Sequence, residues 1–292
     1  MKKIIVITGP TGVGKTKMSI ELAKHFNGEI INADSMQVYE GLDIGTAKIS
    51  EEEKMGIPHH LFDIKKVEED YSVYDYQNDG RKILDNFDEN KTPIIVGGTG
   101  LYIKALLYDY NFYNNEEKFD LSHLTNQELL DELKKYNKNI DIHINNRKRL
   151  ERRLNIYMNK KEETEKKGNN LLYDAVFIGL TTEREKLYDI INDRVDKMIS
   201  SGLIDEVKAL HTKNIRSKSV MTGIGYKELY KYFDGEISLD EAIDLIKKNS
   251  RRYAKRQYTW FNHQMNITWF DVNFNDFDKT VKEVISYIEK GL

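Results

Sequence analysis

Gly9-Pro10-Thr11-Gly12-Val13-Gly14-Lys15-Thr16 is the stretch on which the fold turns. It fits the pattern G-x-x-x-x-G-K-[ST], and its flanks matter as much as the match. Before it runs Ile4-Ile5-Val6-Ile7, a β-branched segment suited to a strand buried on both faces. After it, Lys17 to Phe26 places Met18, Leu22 and Phe26 at helical spacing. Strand, glycine turn and helix predict a loop that cradles phosphate. Small residues let successive amides face an anion, and the helix N-terminus adds partial positive charge. Lys15 then neutralises phosphate charge, and the Thr16 hydroxyl suits Mg²⁺. Residues Gly9 to Thr16 are therefore candidate ligands for a diphosphate or triphosphate, ATP included. An ordinary glycine-rich β–α turn is the bland alternative, and the flanking context disfavours it.

Working outward, Glu29 to Ala33 reads as a second strand ending at Asp34, and Tyr76 to Phe87 as a helix with Ile83, Leu84 and Phe87 on one face. Pro93 to Gly98 reads as a third strand running into the turn Gly97-Gly98-Thr99-Gly100. Strand and helix in alternation are the grammar of a parallel α/β sheet. The pattern changes after about Tyr110: from Asn114 to Leu171 the chain is polar, helical in periodicity and without a convincing strand. Strand character returns at Ala175 to Leu180. Helices follow at Glu183 to Ser200, Leu203 to His211, Tyr226 to Phe233 and Leu239 to Phe261. The expected fold is α/β, a P-loop NTPase-like parallel sheet core with an inserted all-helical subdomain. Residues 1–113 and 172–292 would form the core and 114–171 the insertion. Lys160 to Asn170 is low in apolar content and reads as a loop or fraying helix end.

Composition bounds the function. The 292 residues carry 45 Lys+Arg against 48 Asp+Glu and no cysteine. Disulfides, thiolate metal sites and a cysteine nucleophile are thereby excluded. No apolar run approaches the ~20 residues of a membrane span. The N-terminal apolar stretch is short and runs into Gly9-Pro10-Thr11-Gly12 rather than a cleavage site, so the expectation is a cytoplasmic protein with no membrane partner; action as a monomer is a separate expectation, which these residues do not decide. A net charge of -3 leaves room for a local basic face that binds nucleic acid.

A P-loop hydrolase normally carries an acidic residue at a second strand end. The third strand here ends in Gly97-Gly98-Thr99-Gly100, without a carboxylate. The nearest strand-end acid is Asp34. In an open parallel sheet the C-terminal strand ends converge, so Asp34 and Thr99 should both approach the phosphates. Asp34 is a candidate to hold Mg²⁺ or to accept a proton, or it simply caps Ser35-Met36-Gln37. His59-His60 lacks metal-site partners in the sequence, and Tyr74 and Tyr102 read as core packing.

Several stretches together resemble one family, the tRNA dimethylallyltransferases (isopentenyl-tRNA transferases). They are Gly9 to Thr16 (GPTGVGKT), Asn32 to Tyr39 (NADSMQVY), Asp43 to Lys48 (DIGTAK), Pro58 to Leu61 (PHHL), Gly97 to Tyr102 (GGTGLY), Gly223 to Tyr226 (GIGY) and Ala254 to Trp260 (AKRQYTW). Single pieces are weak, but the ordered set spans nearly the whole chain. The resemblance implies transfer of a dimethylallyl group from dimethylallyl diphosphate to the exocyclic amine of an adenine, with Mg²⁺ as cofactor. That adenine lies 3′ of the anticodon in tRNAs reading codons that begin with U, so the partner is the tRNA anticodon stem-loop. It also implies catalytic roles for Asp34, Lys15 and Thr16, with Thr16 as metal ligand. Asp34, Ser35, Met36 and Gln37 match the contact with the substrate adenine, and Thr99 matches a further tRNA-side contact. Lys148-Arg149-Leu150-Glu151-Arg152 matches a tRNA-contacting stretch in the insertion, where Arg149, Arg152 and Arg153 share a helical face opposite Leu150, Leu154 and Tyr157.

The chain departs from the family pattern R-x-x-L-Y-x-R-I-x-x-R. Arg184, Leu187, Tyr188 and Arg194 fit it, but Ile190 replaces the middle arginine. Thr222 stands where some members carry another arginine. Both changes remove a phosphate-facing cation, for which Arg184 or Arg252 are the expected substitutes. In the basic run Arg251 to Gln257, Arg252, Lys255 and Arg256 suit either tRNA backbone or the diphosphate. Asn114 to Leu121 gives no counterpart to the family's basic residue there. Three rivals stay open: the same chemistry on free adenine nucleotide, a small-molecule kinase, and an RNA-binding protein with a relict phosphate loop.

Overall fold

The computed structural model describes residues 3–112, 119–159 and 167–291. β1 (Ile4–Thr8) is buried along its whole length. Its side chains alternate between two cores, with Ile4 and Val6 in one and Ile5 and Ile7 in the other. This is why the strand reads as a continuous apolar run rather than an alternation.

α1 (Lys15–Phe26) buries Met18 and Leu22 and returns the chain to β2 (Gly28–Asn32). α2 (Glu51–Lys54), the two-residue β3 (His59–His60) and α3 (Val73–Asp85) follow, then β4 (Thr92–Val96) and α4 (Gly100–Leu107). A capping box between Ser72 and Asp75 sets the start of α3. β5 (Tyr108–Tyr110) comes next, then α5 (Asn126–Tyr136), α6 (Arg147–Met158) and β6 (Lys167–Leu171), which pairs with β5. The chain continues through β7 (Ala175–Thr181), α7 (Arg184–Ser200), α8 (Leu203–Thr212), α9 (Lys218–Thr222), α10 (Tyr226–Phe233), α11 (Leu239–Gln264), β8 (Thr268–Asp271) and α12 (Phe277–Lys290).

The main sheet has the order β3-β2-β4-β1-β7-β8 with every pairing parallel. Val96 is level with Ile7 of β1 and with Asn32 of β2. The segments leaving these three strands, namely residues 9–16, Asp34 and the turn at Gly97, therefore emerge at one edge of the sheet.

The chain divides into two compact units, residues 1–108 with 171–292, and residues 109–170. The second has a core of its own, built from Leu121, Leu129, Leu133, Leu150 and Leu154. Its helices α5 and α6 lie in sequence between β5 and β6, which pair in a short ladder that the polar sequence there did not announce. Residues 160–166 of the expected loop lie outside the described residues, and Lys167 to Asn170 belong to β6. Residues 114–118 of the stretch without a basic counterpart lie outside them as well.

Six elements of the main unit go beyond the expected set: α2, β3, α4, α9, β8 and α12. β3 is too short to show a period, and β8 is a partly exposed edge strand. α12 buries Phe277, Val281, Val284 and Ile288, an i, i+4, i+7, i+11 stripe that the sequence does display. Each of these side chains contributes about 1.5–3 kcal/mol by leaving water. The expectation for Tyr74 needs correcting. It is 44% exposed, because α3 turns Tyr76, Gln77, Gly80 and Leu84 inward and Tyr74 lies off that face. Tyr102 is buried and stacks on Tyr76 at 4.1 Å.

Candidate active site

The phosphate loop is held from both sides. Gly14 has φ +88°, and a Cβ there would come within 2.8 Å of the Phe277 ring, so α12 packs directly beneath the loop. Only glycine combines that left-handed backbone with that contact. Gly9, Pro10 and Val13 are buried, while Thr11, Gly12, Gly14, Lys15 and Thr16 line a cavity of about 700 Å³. The amides that open α1 have no carbonyl four residues back within the helix, so they suit an anion. Lys15 Nζ donates to the carbonyls of Gly9 (3.0 Å) and Pro10 (2.8 Å). Burial, and after it the Arg194 guanidinium, push its pKa down to about 7 against the opposing charge of Asp34. An ammonium so placed gains more from a phosphate than from two carbonyls.

Asp34 lies in the same cavity, together with Ser35, Met36 and Gln37. Its Oδ1 accepts from the Met36 amide at 2.9 Å, so the capping role is real and coexists with exposure to the cavity. Its amide in turn donates to Asn32 Oδ1 at 2.8 Å, and Asn32 is anchored by donating to the Leu61 carbonyl at 2.9 Å. The Thr99 hydroxyl accepts from the Ser35 amide at 3.1 Å and bonds the Ser35 hydroxyl at 3.3 Å. Thr99 thus steadies the turn that carries Asp34. Gln37 Nε2 donates to the carbonyls of Thr46 (3.1 Å) and Ala47 (3.3 Å).

Four site residues escaped the sequence reading as such. Gln257 of α11 accepts from the Thr11 amide at 3.1 Å and donates to the Gly98 carbonyl at 3.0 Å, tying the phosphate loop to the turn after β4. A Cβ on Gly98 would sit 2.1 Å from Gln257 Nε2, which explains the glycine. Tyr253, one turn earlier, also lines the cavity; burial and the charge of Asp34 raise its pKa, against the influence of the neighbouring Thr99 and Gln257. Glu206 of α8 accepts from the successive amides of Asp43 (3.1 Å), Ile44 (2.7 Å) and Gly45 (3.1 Å), and from the Tyr226 hydroxyl at 2.6 Å. It pins the 43–47 loop, which lines the cavity through Gly45, Thr46 and Ala47. Arg194 of α7 lines the cavity too, and burial lowers its pKa against the pull of Asp34. Its place in the arginine-bearing stretch after β7 was the signal available.

The expected substitutes for the missing arginines are elsewhere. Arg184 donates to the Tyr188 hydroxyl at 3.0 Å and lies over its ring, and neither Arg184 nor Arg252 lines the cavity. Within Arg251 to Gln257, Arg256 does line it, whereas Arg252 and Lys255 are exposed away from it. Ile190 is a cavity residue against Gly12, where a Cβ would be 3.1 Å from its Cγ2.

In the second unit, Lys148, Arg149 and Arg152 are exposed on α6. Leu150 is fully buried in that unit's core, and Glu151 pairs with Arg147 at 2.6 Å, so the surface open to a partner there is the basic one. His59 and His60 each have a protein partner, the Ile57 carbonyl at 2.7 Å and Glu29 at 2.8 Å. Among the described residues no three His, Asp or Glu gather as a metal site. Thr16 and Asp34 line the cavity as oxygen donors. That sparse set fits Mg²⁺, which keeps its waters and takes phosphate oxygens.

Comparison with known proteins adds an independent finding. The family model described as IPP transferase matches residues 37–264. The tRNA dimethylallyltransferase of Anoxybacillus flavithermus is 50% identical, with 99% of this chain and 96% of the relative covered. That of Bacillus anthracis is 48% identical over 100% and 96%. Among solved structures, the full-length tRNA isopentenylpyrophosphate transferase of Bacillus halodurans has a TM-score of 0.78 at 46% identity, covering 99% of this chain and 96% of that one. A eukaryotic dimethylallyltransferase acting on tRNA has a TM-score of 0.84 at 30% identity, covering 98% and 78%.

Proposed function

The chain belongs to the IPP transferase family, and we infer that it moves a dimethylallyl group from dimethylallyl diphosphate to the exocyclic amine of an adenine in tRNA, releasing diphosphate. It is a tRNA dimethylallyltransferase, and the adenine is the one 3′ of the anticodon in tRNAs reading codons that begin with U. The observation that carries the mechanism is that Lys15, Thr16 and Asp34 line one cavity.

As the allylic carbon–oxygen bond breaks, its electron pair goes to the diphosphate. The loop amides and Lys15 stabilise the charge that develops there. The adenine nitrogen forms the new bond to carbon. Asp34, oriented through the Met36 amide, hydrogen-bonds the amine and takes its proton. An adenine in a stacked anticodon loop must first be extruded, at a cost of a few kcal/mol, so RNA-gripping surface beyond the cavity is required. Lys148, Arg149 and Arg152 are the residues we assign to it, through contacts with phosphate. Ser35, Met36 and Gln37 would face the adenine, with Thr99 holding their turn.

We further propose Mg²⁺ as cofactor, held by Thr16 and the diphosphate, where it would supply positive charge to the leaving group. Among the described residues no helix is long and apolar enough to cross a membrane. A cytoplasmic location and action as a monomer are proposed with it, since one chain lines the whole cavity.

The test supplies Mg²⁺ and labelled dimethylallyl diphosphate with either unmodified tRNA or AMP, and runs ATP with candidate acceptors in parallel. Label entering tRNA beside the anticodon is the expected result. Label entering AMP alone would make the acceptor a free nucleotide. ATP consumed without label transfer would mean the loop serves a kinase.

A further inference from the structure

The glycines of the phosphate loop, Gly9, Gly12 and Gly14, all have positive φ, and each is backed by a different element. A Cβ on Gly9 would lie 2.3 Å from the Leu180 carbonyl oxygen of β7, and one on Gly12 would lie 3.1 Å from Ile190 Cγ2 of α7. A Cβ on Gly14 would lie 2.8 Å from Phe277 Cε2 of α12. Gly14 matters most to an anion, because it opens α1 and sets the direction of the amides that follow. It has no side chain to cap the helix, and glycine enters the left-handed region about as readily as the right-handed one. Its φ of +88° and ψ of +24° therefore need a restraint from outside.

Phe277 is placed to supply that restraint. It is the first residue of α12, behind the cap at Asp276, whose Oδ1 accepts from the Lys279 amide at 3.2 Å. The chain entering the helix is registered on the sheet: the Val272 amide donates to the Thr181 carbonyl at 2.9 Å, and the Asn273 amide to Thr280 Oγ1 at 3.0 Å. Val281, Val284 and Ile288 hold the helix in the same core as Val13 of the loop and Met18 and Leu22 of α1. Lys17 Nζ lies 4.6 Å from the centre of the Phe277 ring. The ring thus meets the first turn of α1 at Gly14 and again at Lys17, and it does not line the cavity.

We propose that Phe277 is a positioning residue for the diphosphate: it holds Gly14 left-handed before the ligand arrives, so that the amides opening α1 already converge. The inference deepens the reading of the cavity as a prenyl diphosphate site and rests on it. Without the ring, Gly14 samples other backbone conformations, and the diphosphate must order the loop as it binds. Once bound, the phosphate oxygens hold the amides themselves. The loss therefore falls on binding and not on the step that breaks the carbon–oxygen bond.

The experiment reads the binding of inorganic pyrophosphate with Mg²⁺ by calorimetry, and hydrogen exchange at residues 12–16, both on the whole protein. Phe277→Ala should weaken pyrophosphate by about fivefold to thirtyfold, the factor that fixing the backbone of one residue is worth. KM for the prenyl diphosphate should rise in step, with kcat within about twofold of the parent. Val284→Ala is the control, since Val284 is buried two turns further along the same helix. It should lower the melting temperature as Phe277→Ala does, yet leave pyrophosphate affinity within about twofold. In the unliganded protein, exchange at residues 12–16 should quicken in Phe277→Ala and not in Val284→Ala. A folded Phe277→Ala protein that binds pyrophosphate less than about threefold more weakly than the parent overturns the proposal. So does a Val284→Ala protein that loses as much affinity as Phe277→Ala. If Phe277→Ala does not fold, Phe277→Leu is read instead, and an affinity within about twofold of the parent overturns the proposal. A parent that binds no pyrophosphate removes the diphosphate reading, and the exchange comparison then decides by itself whether Phe277 holds the loop.

Discussion

Lys15 is partly neutral near pH 7 because its ammonium is buried beside Arg194 with only carbonyls to bond. At pH 8 about nine in ten of these side chains would be unprotonated. A bound diphosphate restores the charge, so binding at pH 8 should take up close to one proton, and at pH 6 almost none. Calorimetry in buffers of differing ionisation enthalpy reads this directly, and Lys15→Arg should abolish the uptake. The shift has a consequence for stability. Between about 7 and 10.5 the unfolded chain binds the Lys15 proton and the folded one does not, so this residue makes stability rise with pH in that window. Asp34 is tested separately. Asp34→Asn keeps the shape and the bond to the Met36 amide but cannot accept the amine proton. Prenyl transfer should fall by about 10²–10⁴ with tRNA affinity within a few fold. Near-normal turnover would take Asp34 out of the mechanism.

At the scale of elements, α6 and α8 act by different means. α6 offers Lys148, Arg149 and Arg152 to solvent from a turn whose Leu150 is locked inside. Arg149→Ala with Arg152→Ala should lower tRNA affinity and reduce the slope of log affinity against log salt by about one to two. An unchanged slope would place the tRNA backbone elsewhere. α8 contributes through Glu206, whose carboxylate gathers three amides and a tyrosine hydroxyl. Glu206→Gln turns one acceptor into a donor facing these groups, at a cost of about 1–3 kcal/mol. Hydrogen exchange over residues 43–47 should quicken and KM for the diphosphate should rise more than kcat falls. Unaltered exchange there would show that other contacts hold the loop.

For the whole molecule, a core confined to residues 109–170, separate from the two cores of the larger unit, means two cooperative units. Leu150→Ala should destabilise residues 109–170 by about 2–5 kcal/mol and leave the sheet alone. Hydrogen exchange would then show lost protection in α5 and α6 with β1 and β4 unchanged. Loss spread evenly over the chain would mean that the units unfold as one. The same division bears on function. The catalytic cavity is lined by residues of the larger unit alone, whereas the basic face of α6 belongs to the smaller.

What the sequence determined by itself was local. The 9–16 loop, β1, β2, β4 and β7, and the long helices were legible because each is written in consecutive residues, as a glycine spacing or a hydrophobic period. The position of Asp34 at the cavity followed from one rule of parallel sheets. α12 was also written there, in Phe277, Val281, Val284 and Ile288, although the reading ended before it. Tertiary structure alone decided which distant groups meet. Gln257 reaches Thr11 across 246 positions, and Glu206 reaches Ile44 across 162. Nothing in a local pattern distinguishes Arg194, enclosed beside Lys15, from Arg184, which lies over a tyrosine. Their chemistry is identical and their burial is not, and burial is set by how the helices pack on the sheet.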